Sequence, residues 1–148
     1  MSALRLATSD DLERLMTLVG SLHDTQGITQ DEDTRRGALI PLLEGSPHGA
    51  IWMIGPRSAP VGYIAISFGW SIEFGGLEAA VDEFFVRERV RRRGMGSEAM
   101  MALARALSSE GIKAMNLEVD TDNTRARTLY ERIGFRSRDR YHQMVRLL

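Results

Sequence analysis

The chain of 148 residues contains no cysteine, which excludes a disulfide framework, a thiolate metal site and a cysteine nucleophile together. No apolar run approaches the ~20 residues that a membrane helix needs, so no membrane partner is expected. The N-terminal stretch MSALRLATSDDLERL lacks the apolar core of a secretory signal and turns acidic at once. A cytoplasmic protein is the resulting expectation. Lysine is nearly missing, since Lys113 is the only one among 19 basic residues. No internal repeat, low-complexity tract or long linker divides the sequence, and its length fits one domain over residues 1–148. No grouping of His, Asp and Glu has metal-ligand spacing, so no metal is expected. His23 and His48 are isolated and read as structural. The net charge of −1, without a zinc-finger or RRM-type signature, argues against a nucleic-acid partner.

What is present fits a folded globular chain, with 43% hydrophobic and 26% charged residues. The near-zero net charge hides an asymmetry. Residues 1–86 hold 12 acids and 5 bases, whereas residues 87–148 hold 8 acids and 14 bases. The second part is thereby suited to an anion and the first to a cation, although small domains also acquire such splits by chance.

Periodicity orders the elements. Leu4–Ala7 reads as a short strand, and Thr8 with Asp11 forms a capping box for a helix running to about His23. A second helix is predicted over Gln30–Glu44, with Pro41 inside it as a point where it splits. Strands follow at Ala50–Ile54, Pro60–Phe68 and Leu77–Val86, with turns at residues 55–59 and at Gly75-Gly76. Met95, Ala99, Leu103 and Leu107 define a helix ending near Gly111. Met115, Leu117 and Val119 alternate with polar residues as in a half-buried strand. Asn123–Ile133 reads as a helix closed by Gly134, and Phe135–Leu148 as a returning strand. The sum is an α/β domain whose glycine-rich loop comes late, unlike a doubly wound dinucleotide fold.

That loop is the strongest chemical signal. Strand residues Phe84, Phe85 and Val86 lead into five arginines within residues 87–93, then into a helix opening Gly94-Met95-Gly96-Ser97. Unpaired N–H groups and the positive end of the helix dipole favour a phosphate there. A solvated basic loop is the other reading of the same residues. The run Arg91-x-x-Gly94-x-Gly96 after this strand resembles the pyrophosphate-binding motif of GNAT acetyltransferases. Asn123-x-x-Ala126-x-x-x-Tyr130 with Gly134-Phe135 looks like that family's second motif, in the same order and spacing.

The resemblance is sharp over residues 77–135 and looser over the rest. It implies a mixed, mostly antiparallel central sheet flanked by about four helices, with acetyl-CoA as co-substrate. By that likeness the main chain of Phe84, Phe85 and Val86 would hold pantetheine. Arg91, Arg92, Arg93, Gly94, Met95, Gly96 and Ser97 would hold the pyrophosphate, with Asn123 and Tyr130 beside the cofactor. The activity implied is acetyl transfer to a primary amine of a small molecule by direct attack. Peptide or protein N-acetylation and a non-catalytic CoA-binding module stand as alternatives. Tyr130 matches the family's general acid, and Asp82 matches the position of a glutamate base in polyamine acetyltransferases, with Glu83 as runner-up and Glu118 as a third candidate. Strict alternation puts Asp82 with Phe84 and Val86 on one strand face, and Glu83 with Phe85 on the other. Each carboxylate reads equally as an ion-pair partner of the arginines, and Tyr130 also as a core aromatic. Asp24, Trp70, Glu73 and Phe74 fall in the segments that bind the acceptor in the family, where acidity suits a cationic amine. Trp70 and Phe74 fit a dimer interface equally well, and a homodimer is the assembly the likeness implies.

Overall fold

A computed structural model describes residues 4–91 and 94–148. It falls into two compact units, one running to Glu118 and the other Val119–Leu148. The first unit holds a five-stranded sheet in the order β1-β2-β3-β4-β5. Its strands are β1 (Leu4–Leu6), β2 (Gly49–Ile54), β3 (Gly62–Ser71), β4 (Gly76–Val86) and β5 (Ala114–Leu117). The first three pairings are antiparallel, and β4 with β5 is parallel. A parallel pair needs a crossover, and helix α3 (Met95–Ser109) supplies it. Helices α1 (Leu12–Gln26) and α2 (Glu32–Leu43) lie between β1 and β2 in the chain, and α4 (Thr124–Arg132) belongs to the second unit. The sheet is thus mostly antiparallel, and the described residues include four α-helices, as expected. No helix among the described residues is long and apolar enough to cross a membrane.

The core follows from the two periods. Along α1, Leu15, Met16, Leu18, Val19 and Leu22 recur on one face and cluster with Leu39 of α2. They meet Ile51, Met53, Tyr63, Ala65 and Phe85 from one face of the sheet. Ile64, Ile66 and Ala79 are buried as well. Helix α3 buries Ala99, Met100, Leu103 and Leu107, lies against β1 and β2, and brings Gly96 up to Phe84 and Val86.

Three expectations change. Pro41 does not split α2, which continues through it to Leu43, so the bond and the clash that a proline costs fall on the last turn alone. Strand β5 stops at Leu117, sooner than its alternating pattern extends, because its ladder with β4 ends at Leu117↔Val81. Phe135–Leu148 forms no strand. Side chains there instead make local contacts, Asp139 accepting from Arg127 of α4 at 3.0 Å while Arg138 and Arg140 lie over the Tyr141 ring.

The capping box at the start of α1 has a stabilising extension. Asp11 is buried, and its carboxylate accepts from Arg5 at 2.8 and 2.9 Å and from the Thr8 N–H at 2.9 Å. The Arg5 bonds hold its pKa below the usual carboxylate range. A depressed folded pKa gives stability that is fully present above the unfolded value and lost as pH falls through the folded one. Asp11→Asn should therefore lower the melting temperature at neutral pH, with a stability loss on the order of 1–3 kcal/mol. The gap to wild type should close below pH ~4, and a gap independent of pH in thermal melts contradicts the assignment.

Candidate functional site

The site begins at an irregularity in β4. Ala65 of β3 pairs with Glu83 and Ile66 pairs with Val81, so Asp82 is an extra residue in a β-bulge. The bulge breaks the alternation assumed from sequence. Glu83 and Phe85 keep the face toward α1, where Glu83 meets His23 and Phe85 joins the core. Phe84 and Val86 face the first turn of α3. Asp82, as the extra residue of the bulge, has no β3 register partner to assign it to either face. The bulge also follows directly on the last β4 residue that pairs with β5, which is Val81. The β3–β4 ladder runs on from Glu83 to Val86, past the end of the β4–β5 ladder at Val81. A strand that outruns its neighbour can offer main-chain groups to an extended amide-bearing ligand.

Two carboxylates stand at the bulge in unlike surroundings. Glu83 accepts from the Tyr63 hydroxyl at 2.8 Å through Oε1 and pairs with His23 Nε2 at 2.6 Å through Oε2. Tyr63 is fully buried, and burial together with the Glu83 charge keeps its hydroxyl protonated far above the ordinary range. Asp82 makes no hydrogen bond or ion pair with the described residues. Desolvation, and then the Glu83 charge, raise its pKa, while His23 opposes the rise. His23 and Tyr63 were missed in sequence because their partner lies 60 and 20 residues away. Only the β3–β4 register and the packing of α1 bring them to it.

Beyond β4 the chain turns into α3. Gly94 has φ 78°, a left-handed conformation that favours glycine, and serves as N-cap without a side-chain cap bond. The first bond of the helix is Glu98 N–H to the Gly94 carbonyl at 2.9 Å, so the N–H groups of Met95, Gly96 and Ser97 have no intrahelical acceptor. Gly96 has a packing reason. A Cβ there would come within 3.0 Å of Phe84 Cζ and 3.3 Å of Val86 Cγ2. Arg91 folds back, its Nε donating to the Val86 carbonyl at 2.7 Å and its guanidinium lying 5.5 Å from the Phe85 ring centre. Arg92 and Arg93 lie outside the described residues. The remaining arginines of the loop do not all converge. Arg87 and Arg89 line a separate cleft of about 210 Å³ with Arg14 and the β2–β3 turn.

Asn123 and Tyr130 belong to the second unit and are held by the two ends of α4. Asn123 is the N-cap, its Oδ1 accepting from the Ala126 N–H at 3.1 Å. At the other end Gly134 has φ 111°. Gly134 N–H bonds the Glu131 carbonyl at 3.2 Å, and Phe135 N–H bonds the Tyr130 carbonyl at 2.9 Å. This is the paired-bond closure that a left-handed glycine permits, with its usual apolar contact. Here the contact is Tyr130 edge-on to Phe135, with centroids 5.9 Å apart. Burial raises the Tyr130 hydroxyl above its ordinary pKa.

The residues expected at the acceptor end separate. Trp70 is 72% exposed near the β3–β4 turn, with Phe74 also exposed beyond it. Asp24 lines a cleft of about 380 Å³ between α1 and α2, with Gly20, Glu32, Arg35 and Arg36. That cleft carries both signs of charge rather than acid alone. Among the described residues, no group of three His, Cys, Asp or Glu could hold a metal ion.

Residues 13–135 match the acetyltransferase (GNAT) family. An uncharacterized N-acetyltransferase of Bacillus subtilis (strain 168) is 32% identical over 102 residues, 68% of this chain. The chain spans 64% of that relative's length. A solved integron cassette protein from the mobile metagenome of Cole Harbour Salt Marsh superposes with TM-score 0.86 at 29% identity, over 99% of this chain and 91% of that one. A solved aminoglycoside N-acetyltransferase in complex with CoA has TM-score 0.78 over 98% and 92% of the two chains. Its identity is 16%, and the likeness is one of fold alone.

The environment of Tyr130 makes a spectroscopic prediction. The phenolate absorbance lost in Tyr130→Phe should develop above pH ~10. A component rising below that value contradicts a hydroxyl kept protonated by burial.

Proposed function

We propose that this chain, which belongs to the acetyltransferase (GNAT) family, transfers an acetyl group from acetyl-CoA to a primary amine of a small molecule. The observation that carries the reading is β4 itself. Its ladder with β5 ends at Val81 while the strand continues to Val86, and the chain then enters a helix whose first N–H groups have no intrahelical acceptor. An edge followed by such a terminus fits a ligand that is amide-bearing at one end and phosphorylated at the other. The left-handed Gly94 leaves no side chain over the helix start. The main chain of Phe84, Phe85 and Val86 would hold the pantetheine arm, although the Arg91 side chain takes up the Val86 carbonyl. Met95, Gly96 and Ser97, with Arg91, Arg92 and Arg93, would hold the pyrophosphate, and Asn123 would lie beside the cofactor.

Acetyl-CoA, when bound, supplies the thioester acetyl group and leaves as the thiol. The protein's own part is to move protons. An alkylammonium must lose a proton before its nitrogen can attack, and a carboxylate at Asp82 or Glu83 accepts it. Tyr130, kept protonated by burial, holds the proton that a departing sulfur requires. Overall an ammonium and a thioester become an amide, a thiol and one released proton. Asp24 and the mixed-charge cleft between α1 and α2 favour a polar, charged acceptor, with Trp70, Glu73 and Phe74 as a second contact surface.

Calorimetric titration with acetyl-CoA should give one site whose affinity falls as salt rises. Arg92→Ala with Arg93→Ala should weaken binding at low salt and flatten that dependence. Tyr130→Phe should leave the affinity intact while lowering kcat on a panel of small amines by about 10²-fold or more. No binding at millimolar cofactor sinks the reading, and unchanged turnover sinks the role of Tyr130.

A further inference from the structure

We propose that the cleft formed by Arg14, Arg87 and Arg89 binds a phosphate group, a second anion site apart from the start of α3. The inference goes beyond the transferase reading and does not depend on it.

The five arginines of residues 87–93 form one basic run in sequence, but the fold divides them. Arg91 turns back onto the Val86 carbonyl and the Phe85 ring. Arg87 and Arg89 instead line a cleft of about 210 Å³, with Arg14 and Leu18 of α1 and with Ser58 and Pro60 of the β2–β3 turn. Three side chains of one sign thus converge from two distant stretches of the chain. Among the described residues, no acid lines the cleft with them.

The acids near these arginines in sequence do not neutralise them. Asp11 accepts both bonds of Arg5, and Glu13 pairs with Arg36. Among the described residues, Arg14, Arg87 and Arg89 form no ion pair, and neither do Asp10 and Glu88. Guanidiniums gathered without a counter-charge repel one another, and a bound anion relieves that repulsion.

The cleft is also built in advance. Arg14 Nη1 donates to the Arg57 carbonyl at 2.6 Å, which ties α1 to the β2–β3 turn and uses one of five N–H donors. Ala59 N–H closes that turn on the Pro56 carbonyl at 3.1 Å, and Arg87 N–H joins the end of β4 to the Val61 carbonyl at 2.7 Å. Leu18 and Pro60 are buried and supply the apolar part of the lining. Walls fixed in this way lower the ordering cost of binding. Size then decides the class of ligand. Pockets for whole small molecules run from ~300 to ~1,000 Å³, so this cleft suits one anionic group rather than a nucleotide or an entire cofactor. Forked guanidinium donors match the oxygens of a phosphate. The ligand chemistry is therefore a phosphate dianion, free or at the end of a small monoester.

Titration of the full chain with inorganic phosphate at constant ionic strength, read by ¹H–¹⁵N NMR with chloride as the control anion, tests the site. Saturable shifts are expected at Ser58, Ala59 and residues 87–89, and they should persist in excess coenzyme A. Arg87→Gln with Arg89→Gln should weaken phosphate by about 10-fold or more. Arg87→Lys with Arg89→Lys should retain part of the affinity, because the charge remains without the fork. Arg14→Gln, on another element, should weaken phosphate too and decides alone if the double variant fails to fold. Glycerol phosphate binding more tightly than inorganic phosphate at the same residues identifies a monoester as the source, and equal or weaker binding identifies free phosphate. Shifts matched by chloride, shifts confined to Met95–Ser97, or an affinity unchanged in the glutamine variants overturn the proposal. Displacement of phosphate from residues 87–89 by coenzyme A overturns it as well, because the cleft then belongs to the cofactor site.

Discussion

One extra residue in β4 governs the arrangement of the candidate site. Where Asp82 is inserted opposite Ala65, the strand keeps its bonds to β3 and has none to β5 beyond Val81. The end of the β4–β5 ladder and two carboxylates adjacent in sequence coincide at this residue. A regular strand would send adjacent side chains to opposite faces, leaving Asp82 and Glu83 remote from each other. A bulge interrupts that alternation and increases the local twist. In the proposed reading, the strand segment that would hold the cofactor and the candidate proton acceptors lie at one irregularity of the backbone.

The remaining parts are fixed by short-range rules. Gly94 is needed for its left-handed φ, and Gly96 for the close approach of α3 to Phe84 and Val86. The two glycines of the loop therefore have different physical reasons, and only the first concerns the open helix terminus directly. Tyr130 is held by a helix of nine residues with a side-chain cap at its start and a glycine closure at its end. The aromatic contact with Phe135 belongs to that closure, so the same glycine that ends the helix orients the ring.

Much of this could be read in the residues alone, wherever the determinant was local. Thr8 with Asp11, Gly134 after α4, the Gly75-Gly76 turn and the apolar periods of α1 and α3 all stand where their patterns put them. The failures share a different cause. The bulge was invisible because alternation assumes a regular strand, and the pairing of His23 with Glu83 spans 60 residues with no spacing rule to suggest it. The tail of residues 135–148 was expected to return as a strand, yet side chains there bond to near neighbours, as Asp139 does to Arg127. Pro41 was read as a break, but the cost of a proline in a helix depends on how much helix follows it.

The central claim is that the end of β4 beyond its ladder with β5 and the start of α3 receive acetyl-CoA. Amide hydrogen exchange with and without acetyl-CoA tests it residue by residue. The account predicts that added protection concentrates at Phe84–Val86 and at Met95–Ser97, with little change in β1 and β2. Protection centred elsewhere in the chain, or absent at both segments while the cofactor is bound, would contradict it.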